Sequence, residues 1–264
     1  MLRTWMVGLV AALAAGCGTF PAAPSAAIAQ LAPSGTLRAA INFGNPILAT
    51  RAADGSATGV SVDLARELAR RLGVGVELIP YQAAGRVVEG VKTMAWDIAF
   101  VAIDPLRGNE IDYSAAYEGI EGAYLVRRDS PIQSNAEVDR PGIRVAAARG
   151  SAYDLFLSRE LRQARIVHVP TSPVVTETFL AQNLEAADGV RQQLEADARR
   201  LPGLRLLDGR FMVINQAMGV PKGRPEGLTY LRGFVEEMKS SGFVARALER
   251  HRIEGATVAS AAGN

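Results

Sequence analysis

One cysteine and two histidines are all the thiol and imidazole ligands in this chain of 264 residues, and they lie far apart. Cys17, His168 and His251 have no partner at metal-ligand spacing, which argues against a metal site. A lone thiol also makes no internal disulfide. Charge is balanced: the net value is +2, too small to set up a field that attracts nucleic acid or anionic lipid. The arginines are scattered and stand beside acids, as in Arg66-Glu67 and Glu236-Glu237-Met238-Lys239, the pattern of solvated helix faces. There is no Gly-x-Ser-x-Gly elbow, no phosphate loop ending in Gly-Lys-Ser/Thr and no Gly-x-Gly-x-x-Gly. His168 falls inside an apolar strand pattern and reads as structural. Serine and metal hydrolases are thereby disfavoured. Carboxylate acid–base chemistry has no diagnostic spacing and stays open.

The amino terminus differs from the rest. Arg3 precedes an apolar run from Trp5 to Ala15, too short to span ~30 Å of hydrocarbon as a helix but suited to a secretory signal. The run ends at Ala14-Ala15-Gly16-Cys17, small residues before the cysteine, which resembles a lipidation site although Leu13 sits one place early. Lipid anchoring through Cys17 and ordinary cleavage after Ala27-Ile28-Ala29 are both open. Residues 1–16 are the expected signal peptide, and 17–34, rich in Ala and Pro, a flexible tether.

Ordered structure is expected from Gly35. Leu37–Ile41 reads as a buried strand, and Ser61 as the cap of a helix carrying Leu64, Ala65, Leu68, Ala69 and Leu72 inward, ended by Gly73. Val74, Val76 and Leu78 alternate as a strand; Val87, Val88 and Val91 mark a helix; Asp97–Ala102 is a third strand, nearly all apolar. The rhythm restarts after Pro141, with strands at 144–148 and 166–169 and helices near 153–163, 174–182 and 190–200. Strands at 204–207 and 212–220 and helices at 226–240 and 243–251 complete it; the tail from 254 to 264 is expected to be disordered. Strands separated by helices of this length predict parallel sheets covered on both faces. Two such units in a chain of this size predict a cleft between them, with ligands beyond the carboxyl ends of the strands.

Six short segments, in order, carry a resemblance to a known family. They are Gly35-Thr36-Leu37-Arg38; Gly59-Val60-Ser61-Val62-Asp63-Leu64-Ala65; Trp96-Asp97-Ile98; and Ile103-Asp104-Pro105-Leu106-Arg107 with Ile111-Asp112-Tyr113-Ser114. The last two are Leu125 to Pro131 and Met218-Gly219-Val220-Pro221-Lys222-Gly223. Together they resemble the bacterial extracellular solute-binding proteins of family 3, the periplasmic amino-acid-binding type, from about Gly35 to Ile253. The resemblance implies an α/β, two-lobed periplasmic-binding-protein fold of type II. Each lobe would be a doubly wound, mostly parallel sheet. Lobe one would comprise residues 35–127 plus 221–253 and lobe two 128–220, joined by hinge strands at the fifth and sixth segments.

The resemblance also assigns roles. Arg107 matches the arginine that grips a ligand carboxylate, a task its planar fork of donors fits better than lysine does. Arg149-Gly150-Ser151-Ala152 matches the helix start that completes that site, and Ser151 with Asp154 resembles a capping box. Departures are equally specific. Ala102 and Asp104 replace the family's threonines, and Asn45 with Ala83 or Ala84 replaces its aromatic walls. Val190-Arg191 stands where an aspartate would meet an ammonium, with Asp188 two residues early. The departures point to a ligand with one or two carboxylates or a polar acid without a free amine. Arg191 is either a second anion clamp or a helix-surface residue, while Asp104 and Glu121 keep the reverse polarity open. Asn42, Thr171, Ser172 and Gln216 are expected polar liners. The implied function is the substrate-binding component of an ABC importer: exported to the periplasm, monomeric, without cofactor or catalysis, and partnered by a membrane permease. A dehydratase on the same scaffold, resembling cyclohexadienyl dehydratases, and a ligand-presenting sensor are the alternatives.

Overall fold

The computed structural model describes residues 22–263. The expected signal peptide and Cys17 lie outside the described residues. Ordered structure begins earlier than expected, in the segment read as a tether: α1 (Ser25–Leu31) buries Ala27 and Leu31, one helical turn apart. Arg224 donates to the Gln30 carbonyl at 2.8 Å, and the Gly227 N–H donates to Gln30 Oε1 at 2.8 Å. So few apolar residues carry no periodic signal, yet two at one spacing suffice to dock a short helix.

From there the alternation runs as expected. β1 (Thr36–Asn42) leads through a small hairpin, β2 (Thr50–Arg51) and β3 (Ala57–Thr58), to α2 (Val60–Leu72). Then come β4 (Gly75–Tyr81), α3 (Ala84–Glu89) and β5 (Ile98–Ala102). The long β6 (Ile111–Arg127) enters the second half, where β7 (Arg144–Ala148), α4 (Ala152–Glu160), β8 (Arg165–Val169), α5 (Val175–Ala181), β9 (Ala186–Val190) and α6 (Arg191–Arg200) repeat the pattern. β10 (Leu204–Leu206) and β11 (Met212–Pro221) return to the first half, closed by α7 (Pro225–Ser240), α8 (Phe243–Arg250) and β12 (Thr257–Val258).

The main sheet runs in the order β4-β1-β5-β11-β6-β9-β7-β8. β4, β1 and β5 are parallel, as are β8, β7 and β9. The antiparallel pair β6–β11 joins the two sets. Every residue of β5 and β9 is buried, as covering a parallel sheet on both faces requires. Trp96 anchors one satellite core by donating its ring N–H to the Val87 carbonyl at 2.8 Å. Asp97, fully buried, is held by Arg38 at 2.9 Å and Arg224 at 3.3 Å.

Three local readings change. The α2 cap is Gly59, at φ 131°, where a Cβ would sit 2.5 Å from the Leu48 carbonyl oxygen; Ser61 lies inside the helix with its hydroxyl buried. The crossing strands are longer than the two expected hinge segments, which cover only their far ends. Their register slips twice, at Tyr117 and at Ser114–Ala115 opposite Met218. Finally, the tail is docked: β12 pairs with β6, the Ala259 N–H donates to the Tyr117 carbonyl and Lys239 Nζ to that of Ser260.

Candidate ligand-binding cleft

A cavity of about 480 Å³ of empty space, part of it open to solvent, lies where the strand ends of both halves meet. Asn42 and Asn45 follow β1, Ala83 and Ala84 follow β4, and Ala102 ends β5. The second half contributes Ala148, Arg149, Ser151, Ala152, Tyr153, Ser172 and Val190; Ile214 and Gln216 come from β11.

Among the described residues, Arg107 lines the cavity and hydrogen-bonds across the gap. Nη1 donates to its own lobe's Ala102 carbonyl at 3.0 Å and Nη2 to the Gly150 carbonyl of the opposite half at 2.8 Å. The side chain is 3% exposed, Nε has no partner, and no carboxylate pairs with it among the described residues. Desolvation pulls its affinity for the proton downward, outweighing the opposite pull of Tyr113 and of Asp104 nearby.

Its carbonyl partner is built by the α4 start. Ser151 caps α4, accepting from the Asp154 N–H at 3.0 Å, while Asp154 accepts from the Gly150 N–H at 2.7 Å. Half of the expected capping box is present: Asp154 reaches back to Gly150, while the Ser151 N–H donates to the Ala148 carbonyl. Gly150 has φ +70°, and a Cβ there would be 3.1 Å from Gly85 Cα, so the halves touch backbone to backbone. Asp154 Oδ1 also meets His168 Nε2 at 2.7 Å, which agrees with a structural histidine.

Asp104 is buried beside Arg107 but does not line the cavity. It pairs at 2.9 Å with Arg159 of α4, a second bridge between the halves. Asn42 and Asn45 commit their side-chain oxygens to the loop, accepting from the Gly44 and Ile47 N–H groups. Tyr153 and Phe100 provide aromatic surface that Asn45, Ala83 and Ala84 do not; the Tyr153 hydroxyl is hydrogen-bonded to Ser172.

Arg191, Glu121, Thr171 and Asp188 do not line the cavity. Arg191 does not reach the cavity: Nε pairs with Glu121 at 2.8 Å and Nη2 with the Gly209 carbonyl. Glu121 is held between Arg191 and Arg210, which also removes it as a ligand partner. Thr171 only precedes the turn that presents Ser172. Asp188 is fully buried in β9 with both oxygens unpartnered, its carboxyl pushed well up by desolvation and by Asp154.

The model for bacterial extracellular solute-binding proteins, family 3, matches residues 37–253. This chain belongs to that family. Two solved structures show its fold. One is the solute receptor for L-cysteine of Neisseria gonorrhoeae, at TM-score 0.75 and 20% identity over 86% of this chain and 94% of that one. The other is a mutant of ArgBP from T. maritima, at TM-score 0.73 and 21% identity over 86% and 100%. The architecture is the two-lobed, type II periplasmic-binding fold. A curated relative, cyclohexadienyl dehydratase of Pseudomonas aeruginosa, is 22% identical over 173 residues. That match takes in 63% of this chain and 64% of the enzyme, less than two thirds of its length. Among the described residues no helix is long and apolar enough to cross a membrane.

Signals for Phe100 and Tyr153 were present but mute. Phe100 sits in a strand that reads as pure core, and Tyr153 in the first turn of a helix. Only the meeting of lobes turns both toward one cavity.

Proposed function

We propose that this family 3 protein captures a small carboxylate-bearing solute, amino-acid-like or an organic acid, by closure of its lobes and delivers it to the permease of an ABC importer. The observation that carries the reading is Arg107, a buried guanidinium without a carboxylate partner among the described residues, at the wall of a cavity lined from both halves. A buried charge without its opposite costs several kcal/mol, and a ligand carboxylate removes that cost. Ligand contacts to both lobes favour the closed arrangement and shift the population toward it. Export belongs to the same proposal, since the family is extracellular by description, with Cys17 either lipidated or removed with the signal.

The test is a thermal-shift screen of amino acids, dicarboxylates and keto acids. A true ligand at a hundredfold excess over Kd stabilises the protein by about 2.7 kcal/mol. A screen in which only uncharged sugars raise the melting temperature contradicts the proposal. A second reading, a lyase on this scaffold, is favoured by the dehydratase relative. Turnover of a cyclohexadienyl acid by the purified protein would establish it in place of transport.

A further inference from the structure

Glu118 stands in the middle of β6 with none of its surface exposed, and neither carboxylate oxygen has a hydrogen-bond partner. Its cross-strand neighbours form one row: Ala102 of β5, Gln216 of β11, Glu118 itself and Val258 of β12. Directly opposed residues of antiparallel strands share a face. Ala102 and Gln216 line the ligand cavity, so Glu118 stands one strand behind its wall. The Gln216 side-chain oxygen is buried and unpartnered. Glu118 and Gln216, directly opposed, leave three oxygens unpartnered. Buried polar atoms are almost always satisfied, so this acceptor-rich group calls for a donor from outside the chain.

We propose that Glu118 determines specificity by taking the cationic end of the ligand whose carboxylate Arg107 holds. The proposal rests on the carboxylate reading above and goes beyond it by fixing the ligand class. Arg107 bonds the carbonyl of Ala102, and Glu118 lies two strands away, roughly 10 Å at the backbone. A ligand spanning that interval carries its two charges several bonds apart, as a basic or ω-amino acid does. In a neutral α-amino acid the ammonium adjoins the carboxylate and stops short.

Burial raises the Glu118 carboxyl to about 8, so it holds a proton at pH 7 and releases it when a cation arrives. The charged groups of the surrounding elements have other engagements. Asp63 of α2 is held by His251 and Arg250, Arg191 of α6 by Glu121, and Lys239 of α7 by Glu236. Tyr117, its neighbour on β6, is itself pushed up by burial and by Glu118.

The test is calorimetry with two matched pairs, L-lysine against L-norleucine and 5-aminopentanoate against pentanoate. The parent protein should bind the cationic member of at least one pair tenfold or more tighter than its partner. At pH 7, measured in buffers of different ionisation enthalpy, that binding should release close to one proton. Glu118→Gln should lose both the preference and the proton release while still binding the uncharged-tail acid. Equal affinity within both pairs overturns the proposal, as does a preference that survives in Glu118→Gln. Proton release is read on the parent, so the result stands even if the variant folds poorly. Arg107→Ala in parallel separates the two claims: unchanged affinity there sinks the carboxylate reading itself. Binding of no member of either pair removes the present inference.

Discussion

Glu118 and Asp188 both lie fully buried with unpartnered carboxyl groups, and burial favours their neutral forms. The folded protein therefore keeps protons at pH values where the unfolded chain has lost them, and stability falls as pH rises. For Glu118 the contribution is complete below about 4.5 and is lost as pH climbs to about 8. A shift of that size corresponds to on the order of 5 kcal/mol. Glu118→Gln removes it. Urea unfolding should show the variant gaining on the parent by a few kcal/mol between pH 5 and pH 8; a difference independent of pH would contradict the assignment. Arg107 was singled out by the family resemblance, and the structure buries it at the cavity wall; gripping a carboxylate there is the role proposed for it. At Arg191 the sequence context was not enough. The direction of that side chain is set by Glu121 and Arg210, which sequence distance hides. Glu118 gave no signal at all, since a lone acid in an apolar run looks like any strand residue facing water.

Among the elements, the strands and helices that alternate cleanly were legible, and those that depend on one unusual backbone position were not. Gly59 displaced Ser61 as the α2 cap because the Leu48 carbonyl occupies the space of its missing side chain. Gly59→Ala should lower stability by about 2 kcal/mol or more, read from denaturant midpoints, whereas Ser61→Ala should cost less than a lost cap usually does. β6 escaped notice over Ile111–Tyr124 because burial on both faces and two register slips erase the two-residue alternation. Gly150 is a different case: it was expected to let backbone approach, and the approach is to Gly85. Gly150→Ala should leave the unliganded melting temperature within a few degrees and weaken ligand binding about tenfold, because the added methyl props the lobes apart. Unchanged affinity would show that the lobes do not need that contact.

In the whole molecule, the two halves are held closed by a short list of contacts. Arg107 reaches Gly150, Asp104 pairs with Arg159, and the Gly85 and Gly150 backbones touch. Arg159→Gln removes one ion pair and leaves Asp104 buried, which should favour the open arrangement. Small-angle scattering of the unliganded protein should then give a larger radius of gyration than the parent, with ligand restoring compactness; identical curves would mean that the pair does not govern closure. The two-lobed plan was readable from rhythm and resemblance, but the inventory of the cleft was only partly so. Asn42, Asn45, Ala102, Arg107, Ser151 and Gln216 line the cavity. The missing walls came from residues that only the folded chain brings together.

The most direct test of the account is the affinity of the strongest carboxylate ligand for the parent and for Arg107→Ala, measured by calorimetry. Losing charge-assisted hydrogen bonds to a buried carboxylate should cost roughly 2–3 kcal/mol, a weakening of about thirtyfold to a hundredfold or more. Equal affinities would show that the ligand binds elsewhere or without its carboxylate, and the account built on Arg107 would be wrong.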